Sequence, residues 1–117
     1  MVRLTETQEA VREDARRFTN EEIVPVADRM DRNHESPMPI VEQLADEGYL
    51  GMPIPEEWGG AGMDFVSFSL AMEEFCRGLH SVASALGVHT TCSSMLHQFG
   101  TESAKEQYLE RMANGEK

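Results

Sequence analysis

Apolar residues recur at three- and four-residue steps through most of this 117-residue chain, the spacing that returns side chains to one face of a helix. Leu4, Val11, Ala15 and Phe18 form a first stripe, opened by Thr5 and Gln8 in the spacing of a capping box. A second helix begins after Asn20 and carries Ile23, Val26, Ala27 and Met30 inward. Pro25 falls in its first turns, where a missing amide hydrogen costs little. Ser36, Pro37 and Pro39 break the chain, and a short third helix follows through Ile40, Val41, Leu44 and Ala45 until Gly48 ends it.

Residues 49 to 64, YLGMPIPEEWGGAGMD, are different in kind. Two prolines, four glycines and a tryptophan in sixteen positions exclude a regular helix or central strand. The segment reads as a tightly folded connector in which Gly59, Gly60 and Gly62 permit positive φ and Trp58 pins the loop to the helices, a ligand role for so ordered a loop being the alternative. Asp64 is placed to cap a fourth helix whose Phe65, Phe68, Met72, Phe75 and Leu79 make an aromatic-rich core stripe. Glu73 and Glu74 diverge by about 100° on that helix, so they read as surface or interhelical charges rather than an acid and base pair. A last helix starts at Thr101, turns Ala104, Tyr108, Leu109 and Met112 inward and ends at Asn114 and Gly115. No convincing strand alternation appears, and the pattern predicts an all-α, antiparallel bundle of about six helices in a single domain over 1–117.

The fifth helix, Ser81 to Phe99, is the unusual one. Ser84, Gly87, Val88, Thr91 and Met95 step by three or four and put mostly small residues on one face. Two readings stay open on composition: close helix packing through small residues, or a narrow channel for an apolar ligand. His89 and His97 flank the stripe and read as polar contacts.

Composition narrows the function classes. The chain is 40% hydrophobic and 26% charged, the balance of a folded globular protein. Its 21 acidic against 10 basic residues give a net charge of -11, which argues against nucleic-acid binding. That excess suits either an ordinary acidic domain or a host adapted to high salt, where screening acts over about 3 Å at 1 M. No window is apolar enough to span a bilayer and the start lacks a signal-peptide core, so the chain reads as cytoplasmic. Cys76 and Cys92 sit in no CxxC pattern and read as small buried hydrophobes. Four histidines without an HExxH spacing predict no metal site.

Three stretches carry a resemblance. LTETQEAVREDARRFTNEEIVPVADRMDR (Leu4 to Arg32), GYLGMPIPEEWGGAGMD (Gly48 to Asp64) and FGTESAKEQYLERMANGEK (Phe99 to Lys117) resemble, in order, the amino-terminal helical domain of the acyl-CoA dehydrogenases. The PEEWGG and GTESAKEQYL elements together are its specific part. The resemblance implies one domain of a three-domain flavoenzyme, the others being a β-domain and a carboxy-terminal bundle. The whole enzyme would remove hydrogens from Cα and Cβ of an acyl-CoA, with FAD as cofactor and electron-transfer flavoprotein as acceptor, and would be a homo-oligomer. It implies no catalytic residue in this chain, whose fragment alone would be inactive and hold no FAD. It also makes Ser84, Gly87, Val88, Thr91 and Met95 candidates to wall the acyl-chain pocket, Gly87 above all. Acyl-CoA oxidases and flavin monooxygenases share such a domain, and a free-standing helical interaction module is the non-enzymatic alternative.

Overall fold

The computed structural model describes residues 3–116, so both ends of the expected domain span lie outside the described residues. All regular elements in it are helical: α1 Glu6–Phe18, α2 Val24–Arg32, α3 Met38–Asp46, α4 Phe65–Gly78, α5 His80–Phe99, α6 Glu102–Ala104 and α7 Glu110–Ala113. A π-helical turn at Thr19–Ile23 joins α1 to α2, and a second at Lys105–Leu109 joins α6 to α7. The described residues therefore form five continuous helical rods where the pattern suggested about six.

The break expected after Asn20 is thus a wide turn rather than a gap. Pro25 explains it: the ring cannot donate to, and crowds, the carbonyl four residues back at Glu21. One wider turn, closed by the Val24 amide donating to the Thr19 carbonyl, absorbs that conflict without ending the helix. The widened turn also presents Thr19 and Ile23 to α4, where a Cβ on Gly78 would stand 2.7 Å from a methyl of each. No comparable residue accounts for the second π turn.

Capping follows the residues. Thr5 and Gln8 form the reciprocal box at the head of α1. Asp64 accepts from the Ser67 amide at 2.7 Å, a bond that holds its carboxyl below the ordinary range, and Thr101 caps α6. Gly48 closes α3 at φ 85°, the left-handed conformation that favours glycine.

The 49–64 segment is tightly folded, as expected, and contributes residues to the core. Tyr49, Leu50, Met52 and Ile54 are buried, and the strand-less loop doubles back through amides of Ala61, Gly62 and Met63 donating to carbonyls of Gly51, Ile54 and Met52 at 2.8–2.9 Å. Gly59 and Gly62 have positive φ as expected, but Gly60 does not. Gly60 is required for a different reason, since a Cβ there would lie 2.0 Å from the Ile54 carbonyl oxygen. Trp58 packs with Ile54, Leu96, Leu109 and Ala113 in a small satellite core that fastens the loop to α5 and α7.

The main core gathers around Phe75, which is fully buried and meets Phe18 and Tyr49 edge to face at centroid distances of 6.0 and 5.0 Å. The Tyr49 hydroxyl donates to Asp14 at 3.0 Å, and burial together with the Asp14 charge pushes the phenol far above its ordinary pKa. Two inward assignments fail: Phe65 is 63% exposed and Tyr108 is 42% exposed, Leu109 being the buried residue of that turn. Phe65 is the first residue of α4 and borders the groove against α5 instead of entering the core.

Glu74 is the interhelical member of the carboxylate pair. Arg16 donates from Nε and Nη2 to its Oε1 at 3.1 and 2.9 Å, and Arg77 Nε donates to Oε2 at 3.0 Å, tying α1 to α4. Burial alone would raise the Glu74 pKa, but the hydrogen bonds and charges of the two arginines outweigh it and hold it below its ordinary value. A carboxylate whose folded pKa is depressed stabilises the fold above its unfolded pKa and loses that contribution as pH falls through the folded value. Glu74→Gln should therefore cost about 1–2 kcal/mol at neutral pH, both arginines being half exposed. In urea titrations the gap between wild type and variant should close below about pH 4.

Candidate functional site

The face of α5 that packs on the core carries Val82, Ala83, Leu86, Thr90 and Ser93, all buried. The small-residue stripe lies on the neighbouring face and does not pack there: among the described residues Val88 is 67% and Met95 58% exposed, with Ser84 and Thr91 also exposed and Gly87 half-buried. Close helix packing through the stripe is therefore not what these residues do within the described chain. They border an open groove between α4 and α5 instead.

That groove has two lobes. The larger, about 750 Å³, takes Ser84, Gly87, Val88 and Thr91 from α5 and faces them with Phe68, Met72 and Cys76 from α4. The smaller, about 220 Å³, is walled by Phe65, Thr90, Ser94, Met95 and Gln98 and shares Phe68, Gly87 and Thr91 with the first. All five residues singled out from the sequence border one or both lobes. The α4 wall was not singled out, because Phe68 and Met72 share the 65-68-72-75-79 spacing of a core stripe. Its signal was the offset series 68, 72, 76, which runs along the edge of that stripe.

Cys76 and Cys92 are exposed and border the larger lobe, contrary to the burial expected of them. Each sits at the margin of its helix's buried arc, where an apolar residue lines a groove as readily as a core. His80 Nδ1 lies 3.2 Å from Ser84 Oγ. Thr91 donates to the Gly87 carbonyl at 2.8 Å, so its hydroxyl is used within its own helix. His89 is a polar contact as expected, its Nε2 donating to the Met112 carbonyl at 2.9 Å, and burial holds its pKa below the ordinary value despite that bond.

The chemistry on offer is binding. Glu73 and His80 are the ordinary acid–base groups bordering the larger lobe; His80 meets the Ser84 hydroxyl, and among the described residues no third group is bonded to its ring to orient it. Each methylene laid into such a groove and covered contributes about 0.8 kcal/mol. A flavin does not fit these residues: neither lobe offers an Arg or Lys to a pyrophosphate, and Gly87 is the sole glycine, inside a helix. Among the described residues no cluster of His, Cys, Asp and Glu suits a metal ion, and no helix is long and apolar enough to cross a membrane.

The chain belongs to the acyl-CoA dehydrogenase family: residues 5–116 match the model described as acyl-CoA dehydrogenase, N-terminal domain. It is 37% identical over 115 residues to the short-chain specific acyl-CoA dehydrogenase of Clostridium acetobutylicum, covering 97% of this chain and 30% of that protein. It superposes on butyryl-CoA dehydrogenase from Megasphaera elsdenii with a TM-score of 0.93 at 28% identity, covering 100% of this chain and 32% of that one. A structure described as the electron transferring flavoprotein of Acidaminococcus fermentans gives the same TM-score at 29% identity, over 98% of this chain and 30% of that one. The chain thus spans about 30% of the length of the relatives it matches.

Gly87 stands in a helix interior, where glycine costs about 1 kcal/mol relative to alanine. A Cβ there would meet only the Met72 Cε, at 3.3 Å, and that flexible tip can yield. Gly87→Ala should therefore raise the stability of this chain by about 0.5–1 kcal/mol in chemical denaturation; a loss would mean that Met72 is held fixed.

Proposed function

We propose that this chain is the amino-terminal helical domain of a three-domain acyl-CoA dehydrogenase and that its α4–α5 groove walls the acyl-chain pocket. The observation that carries this is the joint position of Ser84, Gly87, Val88, Thr91 and Met95 along one open apolar groove, in a chain of this family. The reaction is α,β-dehydrogenation of an acyl-CoA to a 2,3-enoyl-CoA. FAD is the cofactor of the whole enzyme and is held by parts other than this chain. The acceptor is an electron-transfer flavoprotein, and the subunits associate as a homo-oligomer.

Within that enzyme the domain binds and shapes rather than reacts. The apolar walls exclude water from the hydrocarbon tail, and the missing side chain at Gly87 leaves the passage between the two lobes open. A tail that stops in the larger lobe does not sense that passage, whereas a longer one must cross it.

Gly87→Phe in the full-length enzyme should therefore lower kcat/KM for long acyl chains at least about tenfold more than for short ones. Equal losses on butyryl- and octanoyl-CoA would remove Gly87 from the pocket.

A further inference from the structure

We propose that the smaller lobe of the groove is a subsite for a neutral hydrogen-bonding group on the substrate tail, with the Thr90 hydroxyl as its anchor. This rests on the acyl-pocket reading above and adds a substrate class to it. Several hydroxyls on these helices bond back to their own backbone. Thr19 donates to the Ala15 carbonyl at 2.8 Å, Thr91 to Gly87 at 2.8 Å and Ser93 to His89 at 2.9 Å. Thr90 does not: it is 4% exposed, and among the described residues its Oγ1 has no hydrogen-bond partner.

A buried hydroxyl without a partner is destabilising, and water does not reach Oγ1 to relieve it. Thr90 is one of the walls of the smaller lobe. Oγ1 is turned away from the lobe in the present rotamer; threonine in a helix divides between two χ1 rotamers, and in the proposed subsite a group that enters the lobe draws the hydroxyl into the other one. Ser94 and Gln98 follow at successive four-residue steps on the same wall, which adds a neutral hydroxyl and a neutral amide, while Phe65 and Met95 supply apolar surface. No lysine, arginine or histidine borders the lobe, so a carboxylate tail would lose its hydration without gaining a counter-charge. A hydroxyl tail exchanges water for Thr90 and its neighbours and satisfies the orphan at the same time.

The test uses the full-length flavin-loaded enzyme with ω-hydroxyacyl-CoAs and unsubstituted acyl-CoAs of matched length, from butyryl to octanoyl. Turnover of the unsubstituted series by the wild type checks the underlying dehydrogenase reading on its own. At the length that reaches the lobe, the hydroxylated thioester should be the better substrate. Thr90→Val should cut the ratio of hydroxylated to unsubstituted kcat/KM roughly five- to tenfold through KM, and Thr90→Ser should restore it. A ratio unchanged by Thr90→Val at every length, with the unsubstituted series still turned over, overturns the subsite and leaves the dehydrogenase reading standing. So does a ratio that Thr90→Ser fails to restore.

Discussion

The structure depends on how α4 is seated. Phe75 is enclosed by Phe18 from α1 and Tyr49 from the glycine-rich loop, and the neighbouring Glu74 is clamped by Arg16 and Arg77. Adjacent residues on one helix thus fix it by two different forces, aromatic packing and charge-assisted hydrogen bonds. With α4 held from that side, its opposite edge is free to face α5 across a groove. The π turn at Thr19–Ile23 belongs to the same arrangement, because it supplies the methyl groups that Gly78 admits at the end of α4.

The groove sets local stability against shape. A glycine inside α5 weakens that helix, and an exposed arc of Val88, Met95 and Phe99 leaves apolar surface in water. Neither feature helps this chain fold. Both fit the proposal that this surface is one wall of an acyl-chain pocket. The charge distribution agrees: the chain carries a net charge of -11, yet the smaller lobe has no ionisable group and the larger has Glu73 as its one carboxylate. In the proposed pocket, binding would be driven by covering hydrocarbon, and the acidic surplus lies on the solvated exterior.

Much of this was legible in the residues. The capping box, the Asp64 and Thr101 caps, the Gly48 stop and the five-residue stripe on α5 follow from rules that act within one or two helical turns. What escaped depends on contacts distant in sequence. Whether Phe65 and Tyr108 are covered is decided by which residues distant in sequence pack beside them, and the two thiols lie at arc margins where core and groove look alike. The first π turn has a local cause in Pro25, but a proline near a helix start reads equally well as an ordinary first turn. Gly60 was rightly marked as special for the wrong reason, since a clash with Ile54 is invisible until the loop is folded. The α4 wall of the groove was hidden within a core-like periodicity.

The pocket assignment predicts physical proximity between the substrate tail and one face of α5. An acyl-CoA carrying a diazirine on its terminal carbon, bound to the full-length enzyme, photolysed and followed by peptide mapping, reads that proximity. Label on the α5 segment from Ser84 to Met95 and on the facing Phe68–Met72 turn of α4, competed by unlabelled acyl-CoA, is the result expected. Competable label confined to peptides outside this chain would contradict the account.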